Sequence, residues 1–202
     1  GTMKRFLILF FLLSISISGL AQADYYFPSK NKFNPEITSP WEFLGYDIGD
    51  HHTRYDLMVE YLRLLSEESG RAEFEVFGYS EEKRPQVILT ITSPANLAGL
   101  EEIRKQHLEL AKGSKDRLEG QDDIPLIIQL GFNVHGNEAS AGEASLLAAY
   151  YLVASEDDEM EELLSNAIIF IEPVLNPDGR DRFATWVNMN RGNPPLADPA
   201  DR

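Results

Sequence analysis

The chain has 202 residues, no cysteine and a net charge of −15 at pH 7. All 33 Asp and Glu follow position 23, as do 16 of the 18 Lys and Arg, so the rest of the chain carries −17 and repels nucleic-acid phosphates and anionic membranes alike. Lack of cysteine excludes disulfides, thiolate nucleophiles and sulfur zinc ligands, which leaves His51, His52, His107 and His135, with carboxylates, to hold any metal.

Residues 3–23 have the layout of a secretory signal peptide. Met3-Lys4-Arg5 is basic, Phe6 to Ile17 is almost unbroken apolar chain, and Ala21-Gln22-Ala23 offers the small residues of a cleavage site. We expect 1–23, including Gly1-Thr2, to act as leader and signal, with cleavage after Ala23 and export to the periplasm or the extracellular space. The apolar run is shorter than the ~20 residues that span a bilayer, so no stable membrane anchor is expected after cleavage.

Residues 24–45 alternate aromatics with prolines, from Tyr25 and Phe27 through Pro35 to Trp41 and Phe43, which predicts an extended segment lying against the domain. After Asp50 the spacing of Leu57, Tyr61, Leu62 and Leu65 predicts a helix ending before Gly70, with His51-His52 at its start. Adjacent histidines on a helix do not converge on one metal, so a capping or surface place suits them better than ligation. Alternation in 72–79 and 86–92 across a polar turn predicts a hairpin. Residues 96–112 then read as one helix, with His107 on its apolar stripe as a half-buried packing residue.

A charged loop over 113–123 leads to the strand Leu126 to Leu130, whose unbroken apolar character predicts burial on both faces. The loop Gly131-Phe132-Asn133-Val134-His135-Gly136-Asn137-Glu138 follows, and Ser140-Ala141-Gly142-Glu143 has the spacing of a capping box that would start a helix at Ala141. The acidic stretch 155–162 precedes a second apolar strand, Ala167 to Ile171. Strand, helix and strand in succession make a crossover unit with a helix on the sheet, hence an α/β fold. Glu172 to Gly179 reads as a turn-rich loop and Arg180 to Met189 as a short helix.

His135 and Glu138 stand where a strand hands over to a helix, a common address for ligands in open α/β sheets. Zinc accepts both donor types. Spacing alone leaves a second account open, with Glu138 an acid near a helix N-terminus and His135 a hydrogen-bonding loop residue.

Taken together, His135-Gly136-Asn137-Glu138, the Gly142-Glu143-Ala144 helix start and Asn176-Pro177-Asp178-Gly179 resemble, over roughly residues 46–191, the zinc metallocarboxypeptidase family. The resemblance implies an α/β fold with a mixed central sheet and helices on both faces. It implies that 46–202 is the N-terminal portion of the catalytic domain, truncated at the C-terminus. It further implies that His135 and Glu138 are two of three Zn2+ ligands, that the Asn-Pro-Asp-Gly loop shapes a pocket wall, and that an arginine holds the terminal carboxylate of a peptide substrate. Val187 to Arg191 faintly resembles the family's Asn-Arg pair. Arg180, Arg182 and Arg191 are candidates for the carboxylate contact, of which Arg182 is chosen. The family's third ligand is a histidine and its general base a glutamate, both later in the chain, yet no histidine follows His135 and no glutamate follows Glu172. Both are therefore expected beyond Arg202, and the 202-residue chain alone should have little peptidase activity. Asn137 stands where digestive-type members often carry arginine. A zinc acylase acting on small acylated amino acids, or a noncatalytic peptide-binding relative, are the competing expectations.

Overall fold

The structure, a computed structural model, describes residues 25–27, 32–113 and 123–192. The expected signal peptide and most of the charged loop over 113–123 lie outside those residues. Four strands, β1 (Ala72–Tyr79), β2 (Pro85–Ile91), β3 (Leu126–Gly131) and β4 (Ala167–Glu172), form one sheet in the order β1-β2-β4-β3. β1 and β2 are the expected antiparallel hairpin, β2 runs antiparallel to β4, and β4 runs parallel to β3. The helices are α1 (Pro40–Leu44), α2 (Tyr55–Glu68), α3 (Pro94–Ala98), α4 (Leu100–Ala111), α5 (Ala139–Ala154), α6 (Asp158–Asn166) and α7 (Pro177–Asn190). None of the described helices is long and apolar enough to cross a membrane.

The period-2 geometry of strands divides the sheet residues between two faces. Val87, Leu89, Ile91, Ile169 and Ile171 point to one side, where they join Met58, Leu62 and Leu65 of α2 and Leu146, Ala149 and Val153 of α5 in the main core. On the other side Thr90, Ile168 and Phe170 face Leu97 of α3 and Ile103 of α4. The sheet is thus mixed and has helices on both faces, as expected. Tyr61 is fully buried in α2, and its hydroxyl stays satisfied by donating to the Thr38 carbonyl at 3.0 Å. The N-terminal aromatics do pack on the domain: Phe27 stacks on Tyr151, and Phe33 on Tyr150, with ring centroids 5.5 and 5.1 Å apart.

Several sequence expectations need correction. β3 is not buried on both faces. Among the described residues it pairs with β4 alone, and there Leu126 and Ile127 are exposed while Ile128 and Leu130 reach the core. The doubly covered strand is β4, which has neighbours on both sides. Helix α5 starts at Ala139 with no capping box, because the Glu143 carboxylate turns inward to bind Thr53 and Arg180. The helix expected over 96–112 breaks at Gly99 into α3 and α4. The helix foreseen from Asp50 begins only at Tyr55, leaving His51 and His52 ahead of it. Finally, the extended N-terminal segment includes α1, started by a capping box in which Ser39 and Glu42 bind each other's backbone N–H.

Candidate functional site

The carboxyl ends of the parallel neighbours β3 and β4 are laced together by their exit loops. Phe132 N–H donates to the Glu172 carbonyl at 3.0 Å, and Leu175 N–H donates to the Phe132 carbonyl at 2.8 Å. Beyond these bonds the first loop turns through His135–Glu138 into α5, and the second passes directly into α7. The second loop is shorter than the sequence suggested. Asn176 is the N-cap of α7, its Oδ1 accepting from Gly179 N–H at 3.0 Å, and Pro177 fills the first helical position, where its missing N–H is no loss. Asn-Pro-Asp-Gly is therefore a helix start rather than a free turn. Its Asp178 faces away, toward the hairpin turn, accepting from Ser80 Oγ at 2.6 Å and pairing with Arg84 at 2.8 Å. The Ser80 hydrogen bond, followed by those from Arg84 and a backbone N–H, holds the Asp178 carboxyl below the usual carboxylate range.

In the first loop, Glu138 N–H donates to the His135 carbonyl at 3.0 Å, closing a turn that brings the two side chains together. His135 Nδ1 lies 3.1 Å from Glu138 Oε2, and both side chains are well exposed, at 70% and 62%. Asn133 lies beneath the turn with its side-chain amide donating to the carbonyls of both His135 and Glu138. A pocket of about 560 Å³ opens beside this turn, lined by His135, Gly136 and Asn137 on one side and by Asn176, Gly179, Arg182, Phe183 and Trp186 on the other. The two sequence motifs and Arg182 thus share one cavity. Phe183 and Trp186 were not foreseen; their only sequence signal is the spacing of three and four residues that puts them on the same α7 face as Gly179 and Arg182.

The other arginine candidates do different work. Arg180 is fully buried and cannot meet a substrate: it donates to the Thr53 carbonyl at 2.7 and 3.0 Å, to the Ala139 carbonyl at 3.1 Å and to the Glu143 carboxylate. Glu143 in turn accepts from Thr53 N–H at 2.8 Å and Thr53 Oγ at 2.7 Å. This charge pair ties α5, α7 and the segment before α2 into one frame behind the pocket. Arg191 turns to the Asp50 carbonyl and stands 3.2 Å from His51 Nδ1. His52 is half-buried against α7, its backbone exchanging hydrogen bonds with the Asn188 side chain at 3.3 and 2.8 Å. Burial, then the positive charge of Arg180, holds its imidazole pKa below the usual value. His107 keeps to packing, with Nε2 2.8 Å from the Pro125 carbonyl.

A family model described as zinc carboxypeptidase matches residues 58–198. The chain belongs to the zinc carboxypeptidase family. The matched span holds the whole of the sheet, both motifs and the pocket. Among solved structures, thrombin-activatable fibrinolysis inhibitor is 16% identical with a TM-score of 0.47, over 74% of this chain and 30% of that one. The bovine inhibitor of the same name, solved with a tick carboxypeptidase inhibitor, is 18% identical with a TM-score of 0.42, over 66% of this chain and 33% of that one. The chain therefore spans about a third of the length of these two structures. A comparison with curated proteins gives no match.

The donors present suit the family's metal in type and spacing. With bonds of about 2.0–2.1 Å, two donors of a tetrahedral zinc stand about 3.3 Å apart, close to the separation of His135 Nδ1 and Glu138 Oε2. They are two donors, and among the described residues no group of three or more His, Cys, Asp or Glu could hold a metal ion.

Proposed function

We propose that this chain carries part of the active site of an exported zinc carboxypeptidase that hydrolyses peptide bonds near the C-terminus of its substrate. His135 and Glu138 would hold Zn2+ as two of three protein ligands. Arg182 would hold the substrate's terminal carboxylate from across the pocket. The observation that carries this reading is the pairing of His135 and Glu138 at the mouth of a cavity whose opposite wall presents Arg182.

When bound, zinc supplies a Lewis acid for the scissile carbonyl and lowers the pKa of water toward ~7. The chain's own residues supply position. The Asn133 amide and the Glu138-to-His135 backbone bond fix the donor turn, Gly136 lets that turn press against α7, and Arg182 offers a planar fork for a carboxylate. Phe183 and Trp186 give the wall an apolar surface. A third ligand and a general-base glutamate complete such a site and are sought outside the described residues.

Zinc content and peptide hydrolysis of the full-length protein test the proposal. Stoichiometric zinc that is lost in His135→Ala, with hydrolysis that falls when the substrate's C-terminus is amidated, is the expected result. Absence of zinc from the full-length protein would sink the metallopeptidase reading and favour a noncatalytic peptide-binding relative. Zinc with activity only on small acylated amino acids would favour the acylase.

A further inference from the structure

Asn133 combines four features that no packing role requires together. It has a left-handed backbone at φ 51°, which asparagine tolerates better than most residues. Its side chain is almost wholly buried, at 2% exposure. Its amide nitrogen donates to the His135 carbonyl at 2.7 Å and to the Glu138 carbonyl at 3.1 Å. Its Oδ1 is buried, has no hydrogen-bond partner among the described residues and lies against Gly142, where an added Cβ would come within 2.9 Å.

The orientation of the amide follows from this geometry. Flipping it would aim Oδ1 at two carbonyl oxygens, and both of those acceptors would lose their donor. A buried polar atom without a partner is costly, so the orphaned Oδ1 marks a side chain kept for what its nitrogen does. The nitrogen spans the carbonyls of both proposed zinc ligands at once. It sets the width of the turn and hence the separation of the two donors. The absence of a side chain at Gly142 leaves room for Oδ1 on the far side.

We propose that Asn133 is a positioning residue for the metal, clamping the main chain of His135 and Glu138 at the spacing that a single zinc ion requires. This rests on the assignment of those two residues as zinc ligands. Partners that orient ligands typically change metal affinity by about 10- to 100-fold when removed, and the same range is expected here.

The test uses the full-length protein. Zinc affinity is measured by competition with a chromophoric chelator, cobalt(II) replaces zinc for an absorption spectrum, and the metal-free protein is melted. Asn133→Gly accepts the left-handed backbone but has no amide, and Asn133→Asp keeps the shape while losing both donors. Leu65→Ala, in the α2 core, serves as a stability control. Expected are zinc binding weakened about 10- to 100-fold in both Asn133 variants with a changed cobalt spectrum, against unchanged affinity and spectrum in Leu65→Ala at a lowered melting temperature. If both Asn133 variants bind zinc as tightly as the parent, with the same cobalt spectrum, while His135→Ala does not bind, the clamp is refuted and the ligand assignment stands. If the parent itself takes up no zinc, both fall.

Discussion

Gly136 and Gly179 meet backbone to backbone. A Cβ on Gly136 would lie 2.0 Å from the carbonyl carbon of Gly179 and 2.4 Å from the Arg180 nitrogen, so no side chain fits between the His135–Glu138 turn and the first turn of α7. The glycine of each motif is thus the contact surface for the other. Gly136→Ala would have to push the donor turn off α7. Overpacking of this kind costs about 1–3 kcal/mol and sometimes more, and here the clash is with main chain that cannot rotate away. The nearest atoms to a Cβ on Gly179 belong to the Asn176 side chain, at 2.8–3.1 Å, which can turn aside, so Gly179→Ala should cost less. Urea midpoints of the two variants give the comparison. Equal midpoints would contradict the close approach.

Arg180 and Glu143 form a buried charge pair, and removing one partner strands the other. Arg180→Met should lower stability by about 3–5 kcal/mol. Adding Glu143→Leu should cost far less than a second loss of that size, because the stranded carboxylate is gone. A double-mutant cycle in denaturant reads this non-additivity. Strict additivity would mean that the two side chains do not interact.

Arg182 stands on the exposed wall of the pocket and makes no side-chain hydrogen bond to the described residues. On the proposed carboxylate role, Arg182→Met should leave the melting temperature within a degree or two while reducing kcat/KM for peptide hydrolysis by about 10- to 100-fold, in line with loss of a charge-assisted hydrogen bond worth about 1.5–3 kcal/mol. The loss should appear mainly with substrates that have a free terminal carboxylate. Equal loss with amidated peptides would remove Arg182 from carboxylate recognition.

His52 gives the fold an acid-sensitive element. Burial and the charge of Arg180 hold its pKa below the ordinary value of 6.5 despite the opposing pull of Glu143, so the folded state favours the neutral ring. The unfolded chain binds a proton more readily. Its contribution to stability is therefore full above pH 6.5 and declines as pH falls toward the depressed folded value. Urea midpoints measured across that range should drop less steeply in His52→Gln than in the parent. An unaltered slope would show that another group titrates.

Ile127 lies 46% exposed on β3, beside Leu126 at 67%, on a strand that among the described residues pairs with β4 alone. Apolar edge strands favour intermolecular pairing, and an outward lysine blocks it. In the isolated 202-residue chain, Ile127→Lys should raise the soluble fraction and shift stability by no more than about 0.5 kcal/mol. Unchanged solubility would place the aggregation-prone surface elsewhere.

The hairpin, the crossover from β3 over α5 to β4 with α6 interposed, and the closeness of His135 to Glu138 follow from local periodicity or from residues three apart. The Ser39–Glu42 capping box and the Asn176-Pro177 helix start are equally local signals. The remaining features depend on contacts between distant parts of the chain. What pairs beside an apolar run decides its burial, and among the described residues β4 has a neighbour on each side and β3 on one, though both are nearly pure hydrocarbon. Of the two arginines that directly follow the Asn-Pro-Asp-Gly motif, Arg180 points into the core and Arg182 into the pocket because residues two apart on a helix face different ways, and the position of the Glu143 carboxylate selects which is buried. Asn133 had no local mark of importance. Its role emerges when the chain folds its one amide under the carbonyls of two residues whose side chains alone had drawn notice.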